Sequence, residues 1–289
     1  MLPFDSALSL LSPALRPAYA VLSPADREAA EEFRLRAGRP PAVVLPSGER
    51  TLIGPAVTGE MLAGTLSLCA GGAVYAVEDQ IARGFLALPG GHRLGICGRA
   101  VMQGGQMTGI RELSSLCLRV AHDVPGAAKG LIPRVLDGEL PRSTLILSPP
   151  GRGKTTLLRD LCRGLSRAGV RISVADERGE LAGTWQGLPA FDLGPCTDVL
   201  TGCPKAEAVG RLVRAMSPRA VAVDEITDPE DLRAIREAAF CGAAILATVH
   251  VWSGEDLARR PLLRELWESG LFSLRVEILP DRTLRVTEC

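Results

Sequence analysis

The stretch Thr-Leu-Ile-Leu-Ser-Pro-Pro-Gly-Arg-Gly-Lys-Thr-Thr-Leu-Leu-Arg-Asp at residues 144–160 restricts this chain more than any other. A short apolar run (Leu145, Ile146, Leu147) enters a loop of proline and glycine, and Gly153, Lys154 and Thr155 then open an apolar segment with helical spacing. Strand, loop and helix in that order are what a phosphate-binding P-loop requires. Proline has no N–H, so the donors are the backbone amides from Gly151 onward, converging on an anion at a helix N-terminus whose partial positive charge favours it. On this reading Pro150, Gly151, Arg152, Gly153, Lys154, Thr155 and Thr156 surround the phosphates of a nucleotide. The Lys154 ammonium reaches the β- and γ-phosphates, and the Thr155 hydroxyl completes a Mg²⁺ shell. The pattern's first glycine is Ser148 here, a small residue that still suits a tight turn.

Three further segments end in polar groups where a parallel sheet would present them to a ligand. Ala-Val-Ala-Val (220–223) runs into Asp224 and Glu225. An acidic pair at the carboxyl end of a strand suits a Mg²⁺ ligand (Asp224) and a group that orients or deprotonates water (Glu225). Arg-Ile-Ser-Val-Ala (171–175) runs into Asp-Glu-Arg-Gly-Glu (176–180), from which Glu177 or Glu180 could also approach the γ-phosphate. Ala-Ala-Ile-Leu-Ala (243–247) runs into Thr248 and His250, which could report phosphate occupancy by hydrogen bonding. Arg211 and Arg214, three residues apart on one helical segment, share a face. Spacing alone makes that an exposed basic face.

Composition narrows the partners. The 289 residues suffice for two modest domains, and 33 basic residues balance 33 acidic ones. No global field draws the chain to nucleic acid or an anionic membrane, and aromatics at 4% leave little for base stacking. Direct nucleic-acid binding is therefore not expected. Eight cysteines are scattered without a C-x-x-C pair, several inside apolar runs, which suits a reducing cytosol. The apolar residues 8–11 lack a basic flank and are interrupted by Asp5, Pro13 and Pro17, unlike a signal peptide. Residues 240–249 are too few to cross a bilayer. Any membrane association is expected to come through partners.

Along the chain, residues 1–37 read as helical pieces separated by prolines, one of them opening at an N-cap Ser23 before Pro24. A hairpin is expected over 41–53, helices over 59–75 and 78–84, and short strands over 92–97, 99–102 and 115–120. A Gly/Pro-rich junction near 125–130 separates an N-terminal α+β domain (1–127) from a second domain (128–289). In the second, near-continuous apolar strands alternate with helices, the signature of a parallel sheet buried on both faces, and residues 272–286 add an antiparallel hairpin at one edge. The fold class is α/β: a RecA-like P-loop NTPase domain preceded by a smaller α+β domain.

Taken together, residues 148–160, 176–180, 198–207, 214–218 and 223–226 resemble the stage III sporulation protein AA family, a relative of the type II and type IV secretion and pilus-motor ATPases. Residues 33–40, 90–99 and 114–119 resemble that family's N-terminal domain. The resemblance implies a cytoplasmic ATP-hydrolysing motor that uses Mg²⁺, forms a hexameric ring, and docks on membrane-embedded sporulation channel proteins between mother cell and forespore. It makes Thr248 to His250 similar to the histidine box of secretion ATPases and the segment at Asp176 similar to their aspartate box. Glu180 and Glu225 remain alternatives for the catalytic glutamate. Arg211 and Arg214 become candidates for a charge supplied across subunits, with Arg111 and Arg119 of the first domain as further ones. Two other activities share such a core: a nucleic-acid helicase or loader, and a nucleotide-gated scaffold that hardly turns over.

Overall fold

A computed structural model describes residues 3–72, 77–82, 84–252, 256 and 259–289. The chain divides into two compact units, Met1–His122 with Gly183–Ala190, and Asp123–Ala182 with Phe191–Cys289.

The first unit is built on a six-stranded antiparallel sheet in the order β3-β2-β1-β6-β5-β4. Its strands are β1 (Glu32–Arg36), β2 (Ala42–Leu45), β3 (Gly48–Thr51), β4 (Phe85–Ala87), β5 (Arg93–Gln103) and β6 (Gln106–Arg119). The helices are α1 (Pro3–Ser9), α2 (Arg16–Ala20), α3 (Pro24–Ala29), α4 (Gly59–Cys69) and α5 (Glu78–Ala82). Ser23 caps α3 by accepting the Asp26 amide, and the helix stops at Ala29. Residues 32–36, expected to be helical, form a strand instead. Phe33 and Leu35 alternate with Glu32, Arg34 and Arg36, and the strand is paired on both sides, by β2 and β6. Period-two burial inside a sheet outweighs a helical propensity of a few tenths of a kcal/mol per residue. The helix expected over 59–75 ends at Cys69, and its final residues 73–75 lie outside the described residues, as does residue 83 of the one expected over 78–84. The short strands expected over 92–102 are one long strand, irregular between Cys97 and Arg99 and between Val101 and Met102.

One face of this sheet carries the core, Phe33, Leu35, Val43, Leu94, Leu116 and Leu118, against Phe4, Leu11 and Tyr19 of the N-terminal segment and Leu62 of α4. Buried polar atoms in it are matched. The Tyr19 hydroxyl donates to the Ala42 carbonyl at 3.0 Å. His92, 2% exposed, accepts the Ala121 amide at Nδ1 (3.0 Å), so Nε2 carries the proton towards Ser6 Oγ at 2.6 Å.

The second unit centres on a seven-stranded sheet in the order β11-β10-β12-β13-β9-β14-β15, parallel except for the last strand. These are β9 (Thr144–Ser148), β10 (Ile172–Asp176), β11 (Thr197–Thr201), β12 (Ala220–Val223), β13 (Ala244–His250), β14 (Leu274–Ile278) and β15 (Leu284–Glu288). A short ribbon, β7 (Leu136–Asp137) and β8 (Leu140–Pro141), follows the one-turn helix α6 (Ile132–Val135). The larger helices are α7 (Lys154–Arg167), α8 (Lys205–Met216), α9 (Pro229–Phe240) and α10 (Pro261–Glu268). Successive strand residues point to opposite faces. Ile146, Val174, Ala222 and Leu246 pack with Leu157, Leu161 and Leu165 of α7, whereas Leu145, Val223, Ile245 and Ala247 pack with Val209, Leu232 and Ile235 of α8 and α9. The register brings the carboxyl ends together, Ala175 beside Val223, Val223 beside Ala247 and His250 beside Ser148.

Burial, with His122 nearby, pulls the His92 imidazole down from 6.5 to about 4. Between those values the unfolded chain binds a proton that the folded chain refuses, so stability is full above pH 6.5 and falls as pH drops towards 4. The loss is expected to reach at most about 3 kcal/mol. Urea midpoints of the intact chain across this range measure it, and the slope is expected to flatten in His92→Gln.

Candidate nucleotide site

The loop between β9 and α7 turns on two left-handed glycines, Gly151 at φ +73° and Gly153 at φ +90°. A side chain in either place is strained, which is why the loop needs glycine there. Pro150 to Gly153 are exposed, Lys154 is buried, and Thr155 and Thr156 are half-buried on the first turn of α7. The Lys154 ammonium folds back onto the loop, donating to the carbonyls of Ser148 and Pro149 (both 2.8 Å) and lying 3.3 Å from Ser148 Oγ. Burial draws its pKa down to about 8, while Asp224 and Glu225 pull it back up. Arg152 donates to the Pro280 carbonyl at 3.2 Å, tying the loop to the β14–β15 turn.

A line of hydrogen bonds runs from this loop across three elements. Thr155 Oγ1 donates to Asp224 Oδ2 at 2.7 Å, and Thr248 Oγ1 donates to Asp224 Oδ1 at 2.6 Å. The same Thr248 oxygen accepts the Glu225 amide at 2.8 Å. His250 Nε2 lies 2.7 Å from Glu225 Oε1, and Arg178 Nη1 lies 3.1 Å from Glu225 Oε2. Burial raises the Asp224 pKa, and the two hydroxyl donors oppose that rise. Glu225 sits at φ +56°, a left-handed conformation uncommon for a residue other than glycine and held here by its surroundings. Its carboxylate, bonded to His250 Nε2, places the imidazole proton on that nitrogen, and the buried Nδ1 has no partner among the described residues.

The other acidic candidates have different neighbours. Glu177 pairs with the buried Lys205 at 3.0 Å, and Lys205 also lies 3.6 Å from Asp231. Glu180 lines the same small cleft as Glu177, Asp224 and Glu225. Asp176 points inward and accepts the amides of Leu181 and Ala182 at 3.1 and 2.9 Å, which bends the chain after β10. Arg211 pairs with Glu207 one turn back on α8, and both Arg211 and Arg214 are exposed. Among the described residues neither hydrogen-bonds to the loop or to the Asp224 line. Arg111 and Arg119 belong to β6 in the first unit, where Arg119 pairs with Glu32.

Sequence reading does not reach the buried polar side of α7. Arg159 donates to the carbonyls of Leu181 and Glu180 (2.8 and 2.7 Å) and lies over the Phe191 ring, while Arg163 donates to the Asp192 carbonyl and to Asp123. Asp160 accepts the amides of Gly126 and Ala128. Most of these partners are main-chain groups distant in sequence, so no pattern in residue types signals them. Arg178 is likewise unmarked, one charge among several in its segment. Thr155 and Asp224 offer a hydroxyl and a carboxylate 2.7 Å apart, the hard oxygen donors that suit Mg²⁺. Thr248→Val removes one donor from the half-buried Asp224 carboxylate and the acceptor of the Glu225 amide. It is expected to destabilise the chain by about 1–3 kcal/mol in urea unfolding, with Thr248→Ser near the unaltered value.

The profile of the family described as sporulation stage III, protein AA matches residues 5–283. Stage III sporulation protein AA of Bacillus subtilis (strain 168) is 37% identical over 254 residues, which span 86% of this chain and 82% of that protein. Among solved structures, the Legionella pneumophila ATPase DotB superposes with a TM-score of 0.57 at 15% identity, over 89% of this chain and 75% of DotB. The pilus retraction motor PilT, solved with bound ADP, gives 0.56 at 17% identity, over 89% and 78%. These two likenesses speak to the fold, a mixed α/β architecture with a mostly parallel sheet. The profile and the Bacillus relative speak to descent: the chain belongs to the sporulation stage III protein AA family.

Proposed function

We propose that the chain hydrolyses ATP with Mg²⁺ as a ring-forming, secretion-type motor in sporulation. The observation that carries this reading is the hydrogen-bonded line Thr155–Asp224–Thr248–Glu225–His250 running from the glycine loop across β12 and β13. A merely structural loop has no need of two half-buried carboxylates aligned at a strand end, the second on a strained residue.

In this mechanism the loop amides from Gly151 onward and the Lys154 ammonium bind the phosphates, the ammonium exchanging its present carbonyl acceptors for phosphate oxygens. Thr155 and Asp224 would hold the Mg²⁺, which when bound would neutralise charge on the phosphate oxygens. Glu225 takes the proton of the attacking water. Its place on the Asp224 line favours it over Glu180, and over Glu177 with its own lysine partner. His250, hydrogen-bonded to Glu225, senses the γ-phosphate through that contact.

The exposed Arg211 and Arg214 are available to a neighbouring subunit of a hexameric ring, which would supply positive charge to the transferring group. The N-terminal domain (1–127) would move against the RecA-like domain (128–289) as hydrolysis proceeds. The partners are membrane-embedded sporulation channel proteins, met from the cytoplasmic side. No helix among the described residues is long and apolar enough to cross a membrane. On this reading, membrane contact runs through those partners. Direct nucleic-acid binding has no place in this reading.

Phosphate release is expected from the unaltered chain, to vanish on Mg²⁺ chelation, and to vanish in Lys154→Ala with the fold intact by circular dichroism. Glu225→Gln is expected to keep nucleotide binding while turnover falls roughly 10²- to 10⁴-fold. Undiminished turnover in Lys154→Ala sinks the assignment. ATP-dependent ring assembly seen by native mass measurement, without phosphate release, would make the protein a scaffold instead of a motor.

A further inference from the structure

The turn after β10 carries a cation that the phosphate chemistry above does not use. Arg178 lies two residues past the end of β10, and its Nη1 is 3.1 Å from Glu225 Oε2. His250 Nε2 meets the other carboxylate oxygen at 2.7 Å, so the carboxylate is held from both sides. Strands β10 and β12 are parallel neighbours with Ala175 beside Val223, so the two turns leave the sheet edge in step.

The main chain near Arg178 is fixed, and its partly exposed side chain reaches from that fixed turn to the Glu225 carboxylate. Asp176 accepts the amides of Leu181 and Ala182, and the buried Arg159 donates to the carbonyls of Glu180 and Leu181. The Arg178 side chain is 55% exposed against 22% for Glu225. Lys205, the other cation in the cleft, is engaged by Glu177 and Asp231. It is therefore no substitute.

We propose that Arg178 is a positioning residue: its guanidinium and the His250 imidazole together fix the Glu225 carboxylate in the orientation from which it takes the proton of the attacking water. The inference rests on the hydrolysis reading and adds a residue to it. A general base must lie within hydrogen-bond reach of the proton it removes. The left-handed main chain of Glu225 fixes where its side chain starts, and two donors at its far end fix where it finishes. With only the imidazole left, the carboxylate can turn about that one contact.

Arg178→Ala is expected to lower kcat roughly 10- to 30-fold, the size of one charge-assisted hydrogen bond at a partly exposed site. Binding of a fluorescent ATP analogue should stay unchanged. Arg178→Lys should recover part of the rate, and millimolar guanidinium should partly rescue Arg178→Ala. Combined with Glu225→Gln, the alanine variant should lose nothing further, because both act through one carboxylate. An unchanged or raised kcat, a loss confined to nucleotide affinity, or full additivity with Glu225→Gln overturns the proposal.

A readout independent of turnover separates this from the hydrolysis reading. In ¹⁵N-arginine-labelled chain, the Arg178 guanidinium should show slowed rotation about its Cζ–Nε bond, and Glu225→Gln should release it. Resonances indifferent to Glu225 reject the contact, whatever the enzyme does. Absence of phosphate release from the unaltered chain rejects the hydrolysis reading and, with it, the positioning role, while the contact is still judged by resonance.

Discussion

A half-buried carboxylate at the end of a strand, partly stripped of water, is hard to keep charged without donors, and Asp224 has two. Thr155 comes from the first turn of α7 and Thr248 from near the carboxyl end of β13, both within 2.7 Å. Unpaired burial of such a charge is heavily penalised, so the carboxylate requires α7, β12 and β13 to meet in one register. The parallel pairings β12–β13 and β13–β9 supply it, bringing Val223 level with Ala247 and His250 level with Ser148. Thr248 is fully buried and uses both capacities of its hydroxyl, donating to Asp224 and accepting from Glu225.

Helix α7 extends the same logic away from the loop. Its apolar residues pack on the sheet, and its buried charges fasten three stretches of irregular chain: the junction through Asp160, the segment after β10 through Arg159, and residue 192 through Arg163. Charged groups so deeply placed are tolerated because main-chain amides and carbonyls, together with Asp123, satisfy them. A segment that begins at a glycine loop thereby also fastens residues 126–128 and the turn that bears Arg178.

Much of this was legible in the residue order where one signal dominated. The β9–loop–α7 unit announces itself because proline, glycine, lysine and threonine each answer a separate geometric demand. The apolar strands of the second unit are legible because a parallel sheet covered on both faces tolerates few polar residues. Legibility fails where tertiary pairing decides. Residues 32–36 follow a helix and contain good helix formers, yet partners on both sides make them a strand. Strand β11 is polar and lies at the sheet edge, so it lacks the apolar run that marks its neighbours. In the site, Asp224 and Glu225 stand out as acids ending a strand, but the contacts that distinguish Glu225 from Glu177 lie between residues 23 to 47 positions apart. Spacing along the chain carries no record of those.

The left-handed backbone of Glu225 sets two selective pressures against each other. Glycine or asparagine would relax that conformation, so a population screened only for resistance to unfolding should drift away from glutamate there. A population screened for work done on nucleotide should keep it. Which residue each population keeps there would separate what the side chain does from what the main chain prefers.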